Sequence, residues 1–211
     1  MINEFTKNLT EKSAEFSLPQ ELKDLRVYYK ECGIPTILDE SLSELLLMVA
    51  IKNPENILEL GTATGCSGTA MLLTQKTAKL TTIEKFDKSM DEAVKNFKKF
   101  GVMDRVTAIL GDSYETALTL TGEYDFIFLD CNKASYSRLL PVLKNLLKKG
   151  GVLFTDNVLF RGYVSGEKEP PKEYRSLARK IGEFNELLAK DSDLITCFFD
   201  VGDGIAISYK K

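Results

Sequence analysis

Residues 56–70, NILELGTATGCSGTA, leave this chain few folds to choose from. Ile57, Leu58 and Leu60 make a short apolar strand, and the turn Gly61-Thr62-Ala63-Thr64-Gly65 carries it into a small-residue helix with Ser67 and Thr69 in its first turn. Glycine accepts positive φ and has no Cβ, so a junction of this kind lets a ligand approach the backbone closely. A dinucleotide fingerprint needs a further glycine where Ala63 stands, to admit the pyrophosphate. Glu59, just ahead of the turn, would repel phosphate and attract a cation. The junction therefore suits a nucleoside with a positive centre, and a nicotinamide oxidoreductase is disfavoured.

From residue 56 onward, strand and helix patterns alternate, which predicts a mostly parallel sheet with helices on both faces. Leu80-Thr81-Thr82-Ile83-Glu84 is a second strand ending in an acid, at the spacing where α/β nucleotide sites put a carboxylate on ribose hydroxyls. A helix over 87–100, capped by Asp87 and closed by Gly101, leads to a strand over 105–110 and then Gly111-Asp112-Ser113. The strand 124–130, YDFIFLD, is apolar apart from Asp125 before its final acid, as a buried central strand would be. A helix around 139–147 is interrupted by Pro141, and a strand over 152–155 ends in Asp156-Asn157. A loop over 158–175 precedes a helix from about 173 to 190. Strands over 194–201 and 204–209 are joined by Gly202-Asp203, a turn that only an antiparallel hairpin can use. Two earlier helices, 19–32 and one capped by Asp39, should cover an edge, a cofactor or a partner subunit.

At 211 residues, 44% hydrophobic and 28% charged, the chain fits one domain over 1–211. The net charge of −3 argues against wholesale polyanion binding. Residues 1–16 carry charge where a signal peptide needs an apolar run, and no later run is long enough to span a membrane, so a cytoplasmic protein is expected. The four cysteines are scattered without C-x-x-C spacing, which gives neither a zinc site nor a disulfide framework. Histidine is absent. Any metal must then be a hard cation on oxygen ligands, and any general base a Lys, Asp or Glu.

In open α/β sheets the ligand lies beyond the carboxyl ends of the strands. Glu59, Glu84, Asp112, Asp130 and the pair Asp156-Asn157 all fall at that edge. Crowded carboxylates raise one another's pKa unless a cation neutralises them. Asp130, Asp156 and Asn157 offer two carboxylates and an amide oxygen, a set suited to Mg2+, Mn2+ or Ca2+ with positions left for water and substrate. The plainer reading is that strand-end acids are ordinary and that Asp-Asn is turn composition.

The motif Glu59-x-Gly61-x-x-x-Gly65, with Glu84 after the next strand, resembles the class I S-adenosylmethionine-dependent methyltransferases. FLDCNKASY together with TDNVLFRG narrows the resemblance to the cation-dependent O-methyltransferases, and it runs from about residue 34 to the C-terminus. That group includes catechol and caffeoyl-coenzyme A O-methyltransferases and bacterial enzymes acting on 5-hydroxyuridine in transfer RNA. The resemblance implies an α/β, Rossmann-like fold, a mostly parallel seven-stranded sheet with an antiparallel C-terminal strand. It implies S-adenosylmethionine and Mg2+ (or Mn2+ or Ca2+) as cofactors, with the metal on Asp130, Asp156 and Asn157. Lys133 matches the base and acts with Asp130. Ile37, Glu59, Gly61, Ser67, Glu84, Asp112, Ser113 and Asp130 match cofactor contacts. Cys66 stands where a Tyr is frequent, and residues 38–41 lack the Pro and Gly common before the second helix.

The implied acceptor is a hydroxyl beside a second chelating oxygen, in transfer RNA or in a small catechol or caffeoyl thioester. The 158–175 loop, with Phe160, Arg161, Tyr163, Lys168, Lys172 and Arg175, mixes aromatic and basic groups as single-stranded base recognition does. It equally suits a lid over a small phenol. The lack of a plant-type N-terminal extension tilts the expectation toward transfer RNA. Family habit implies a homodimer through the helices of 1–53. A cofactor-binding protein without catalysis is the remaining class, and the intact set of Asp130, Lys133, Asp156 and Asn157 speaks against it.

Overall fold

The computed structural model describes residues 18–211 together with 5, 8–10 and 12. The N-terminal stretch read as lacking a signal peptide lies largely outside them. The elements run α1 (Gln20–Glu31), α2 (Asp39–Lys52), β1 (Asn56–Leu60), α3 (Cys66–Thr74), β2 (Lys79–Glu84), α4 (Asp87–Lys99), β3 (Val106–Leu110), α5 (Ser113–Thr119), β4 (Tyr124–Leu129), α6 (Tyr136–Leu146), β5 (Leu147–Asp156), α7 (Lys172–Lys190), β6 (Leu194–Phe199) and β7 (Ile205–Lys210). The strands form one sheet in the order β3-β2-β1-β4-β5-β7-β6. Strands β1 to β5 are parallel, and β7 is antiparallel to both β5 and β6. The strand order reverses between β1 and β4, which puts the ligand crevice of such a sheet at the carboxyl ends of these two strands.

Successive strand residues point to opposite faces, and here both faces are apolar. Ile57, Phe126, Phe128 and Phe154 join one core with Leu22 of α1, Leu45 and Val49 of α2, Met71 of α3 and Phe97 of α4. Leu58, Leu60, Ile127, Leu129 and Leu153 join the other with Ala117 of α5, Leu139 and Leu143 of α6 and Phe184 of α7. That division explains why YDFIFLD reads as a continuous apolar run. Asp125, its polar exception, sits at the opposite end of the strand, where Oδ2 accepts from the Asn56 amide (2.9 Å) and Oδ1 from Lys148 Nζ (3.0 Å).

Several boundaries differ from the sequence expectation, each for a local reason. Asp39 and Asp87 are the first helical residues rather than the caps, which are Leu38 and Phe86. The Asp39 carboxylate is drawn instead to Arg26, 2.6 Å away on α1. Pro141 lies within α6 without interrupting it, and α6 begins earlier than expected, directly after a 3-10 turn over Lys133–Ser135. β5 also begins earlier, at Leu147, with a register shift opposite Tyr124 and Phe126.

Candidate active site

The glycine turn is built around Glu59. This side chain points into the face under α3 and is fully buried. Its Oε1 accepts from Ser67 Oγ and its Oε2 from Thr82 Oγ1, each at 2.6 Å. Burial pushes its carboxyl up to about 7, against the pull of these two hydroxyls and with Asp130 and Glu84 adding to the rise. Gly68 makes the close approach possible, because a Cβ there would meet Leu80 Cδ2 at 2.7 Å and Glu59 Oε2 at 2.9 Å. The sequence reading passed over Gly68, although its spacing from Gly65 fits the glycine that lets a helix pack closely on its strand.

Gly61 (φ 101°) and Ala63 (φ 46°) both take left-handed backbone. A Cβ on Gly61 would collide with the Asp130 carbonyl, so the turn passes directly beside the β4 end. The Asp130 amide donates to Leu60 O (2.9 Å) and continues the β1–β4 ladder one step into the crevice. At the end of β2, Glu84 Oε1 accepts from the amides of Lys85 and Phe86, and Oε2 from that of Ala63, all at 2.9 Å. These bonds fix its carboxylate at the mouth of the crevice. Asp112 caps α5, with Oδ1 accepting from Tyr114 N at 3.0 Å. Burial opposes its ionisation, yet the amides of Glu115 and Tyr114 and the Lys85 ammonium outweigh it and lower its pKa. Burial pushes the Cys131 thiol up to about 12, against the pull of Ser113, and so keeps it protonated. Ile37 is buried in the α1–α2 core, with its carbonyl accepting from Arg26 Nη2 at 3.0 Å.

Leu129 pairs with Thr155 across β4 and β5, which sets Asp130 and Asp156 at neighbouring strand ends. Burial, then the negative charge of Asp130, pushes the Asp156 carboxyl up to about 7, and Asp203 adds to the rise. Lys133 Nζ lies 2.8 Å from Asp130 Oδ1. Burial alone would lower the Lys133 pKa, but Asp130 and Asp156 outweigh it and raise it, opposite to the depression that a base working near neutral pH requires. Among the described residues no three Cys, Asp or Glu side chains form a ligand cluster. The set here is two carboxylates and the Asn157 amide, and Asn157 sits in left-handed backbone (φ 61°), which Asn tolerates better than most residues.

Two further residues hold this corner, and the sequence reading gave neither a role. Tyr136 Oη lies 3.3 Å from the carbonyl oxygens of both Leu129 and Asp156, bracing the two strand ends from below. Asp203, in the β6–β7 turn, accepts from Asn157 Nδ2 at 3.3 Å. The topology carried a signal for Asp203, since β6 runs parallel to β5 and must turn at the same edge.

The family model described as O-methyltransferase matches residues 10–211. The chain belongs to this O-methyltransferase family. Tapetum-specific methyltransferase 1 of Arabidopsis thaliana is 30% identical over 98% of this chain and 91% of its own length. Caffeoyl-CoA O-methyltransferase of Populus kitakamiensis is 29% identical over 89% and 85%. Among solved structures, a caffeoyl-CoA O-methyltransferase-like protein of Staphylococcus aureus superposes with a TM-score of 0.90 at 28% identity, covering 98% of this chain and all of the other. The SAH-bound Podospora anserina methyltransferase PaMTH1 gives 0.84 at 26% identity, covering 100% and 97%. This O-methyltransferase is thus an S-adenosylmethionine-dependent enzyme of the caffeoyl-CoA O-methyltransferase type. No helix among its described residues is long and apolar enough to cross a membrane.

Proposed function

We propose that this O-methyltransferase requires a divalent cation and methylates a hydroxyl with a second oxygen beside it, on a small catechol-like acceptor. The observation that carries the reading is the placing of Asp130 and Asp156 at neighbouring strand ends, where burial first and then the charge of Asp130 raise the Asp156 carboxyl to about 7 and Lys133 pairs with Asp130. Such a pair is stabilised by a further positive charge, and carboxylate and amide oxygens are the donors that Mg2+ and its relatives take. Asp130, Asp156 and Asn157 would hold the cation. When bound, the cofactor supplies a methyl on a sulfonium and the cation supplies Lewis acidity and a chelating template.

The chain's own residues do the rest. Glu84 presents a carboxylate for the ribose hydroxyls from a position fixed by three amides. Lys133 is the group to receive the acceptor proton, and its raised pKa means that its pairing with Asp130 must first be relaxed. Relatives named as acting on caffeoyl-CoA support a small acceptor. So does the loop after β5. Phe160 packs edge-on to Tyr163 and Tyr174, these two stack at 6.1 Å, and Arg161 lies over Tyr174. These rings are occupied with one another and with Ala178 and Ile181 of α7 rather than splayed as a platform for bases.

The test is a methyl-transfer assay offering a dihydroxyphenol, the matching monohydroxyphenol and total transfer RNA, each with and without Mg2+. Methyl label is expected in the dihydroxyphenol with Mg2+ alone. Label entering transfer RNA, with the steep salt dependence of phosphate binding, would move the acceptor to the transfer-RNA alternative.

A further inference from the structure

Asp203 occupies a hairpin turn, where an Asp ordinarily serves its own backbone. Here both carboxylate oxygens leave the hairpin. Oδ2 accepts from Asn157 Nδ2 at 3.3 Å, and Oδ1 accepts from the Arg161 amide. The flanking backbone is joined to the same loop, with Val158 N donating to Gly204 O and Leu159 N to Asp203 O, each at 3.0 Å. Gly204, in left-handed backbone (φ 80°), is buried against Leu159, and a Cβ there would collide with that side chain. The turn is therefore locked onto residues 157–161 independently of the Asp203 carboxylate.

A carboxylate accepts hydrogen bonds and donates none. An Asn side chain has two unlike ends of equal size, and only its NH2 end can face Asp203. We infer that Asp203 is a positioning residue that fixes the Asn157 carboxamide with Nδ2 toward the hairpin and Oδ1 free as a ligand oxygen. The inference rests on the metal reading above. Without Asp203 the carboxamide can flip and present NH2, which cannot bind a cation. Partners that orient a ligand in this way typically contribute 10- to 100-fold to metal affinity.

The test is Mn2+ affinity, by titration calorimetry and by the loss of the free-ion EPR signal, for wild type, D203N, N157D and the double variant. D203N keeps the size of the turn residue but cannot offer an oxygen to both donors. Its Mn2+ affinity is expected to fall about 10- to 100-fold while its circular dichroism and melting temperature stay near wild type. In the N157D background both ends of the ligand are oxygens and orientation is irrelevant, so adding D203N should cost no more than about twofold. Wild-type affinity in D203N, or an equal loss in both backgrounds, overturns the inference while leaving the metal reading standing. No Mn2+ binding by the wild type overturns the metal reading and the inference together.

Discussion

Glu59→Gln should make the protein more stable at alkaline pH, although it removes a carboxylate that two hydroxyls hold. The Glu59 carboxyl is raised from 4.5 to about 7, with burial as the main cause. One pKa unit corresponds to about 1.4 kcal/mol, so the shift is worth on the order of 3 kcal/mol. The folded state binds this proton more tightly than the unfolded chain. Below the unfolded value both states hold it and there is no penalty. Between the unfolded value and about 7 only the unfolded chain releases it, so stability falls by up to about 1.4 kcal/mol per pH unit, and above that window the loss is complete. Glutamine has nearly the same shape and does not titrate. Its oxygen can still accept from one hydroxyl, while Thr82 Oγ1 can turn to Thr62 Oγ1, 2.5 Å away. Urea denaturation of the cofactor-free protein across pH 4.5 to 8 measures the difference, in which groups common to both proteins largely cancel. The variant should gain on wild type through the acid window and lead by about 3 kcal/mol above it. A difference that stays flat with pH, or one that favours wild type increasingly as pH rises, would refute the reasoning.

Three other perturbations probe separate parts of the account. Lys133→Ala should lower turnover about 100-fold or more while Mn2+ affinity holds or tightens, since the ammonium that competes for Asp130 is gone; a fall in affinity with unchanged turnover would assign Lys133 to binding. Gly68→Ala should cost about 1–3 kcal/mol by urea denaturation, because α3 cannot move off β1 without disturbing Glu59; wild-type stability would show that the helix has slack. Tyr136→Phe should cost about 1 kcal/mol, the worth of one buried hydrogen bond, and an unchanged midpoint would show that Tyr136 braces neither strand end.

Much of the fold was legible because the signals that carry it are local. The alternation of strand and helix after residue 56, a hairpin turn at Gly202-Asp203 and the glycine junction each fix geometry within a few residues, although residues 200–204, not two residues alone, join β6 to β7. The convergence of Asp130 with Asp156-Asn157 followed from them, since both end adjacent parallel strands. What the sequence hid depends on contacts between distant segments. Asp39 looked like a cap because nothing nearby announces Arg26. Lys133 can act as a base near neutral pH only with a depressed pKa, yet the direction is set by two carboxylates whose proximity only the folded sheet creates. Asp203 read as turn composition because its partners lie 46 and 42 residues away. Glu59 and Ser67 were both assigned to the cofactor, and the fold turns them toward each other beneath the turn.

On the function proposed above, methyl transfer needs a divalent cation held by Asp130, Asp156 and Asn157. The most direct measurement is the transfer rate to a dihydroxyphenol by protein stripped with chelator and then titrated with Mg2+, run in parallel on wild type and on an Asp156→Ala, Asn157→Ala double variant that still binds S-adenosylmethionine. Activity should return with Mg2+ in wild type and stay absent in the variant. Full transfer by the stripped wild type, or Mg2+-stimulated transfer undiminished in the variant, would contradict it.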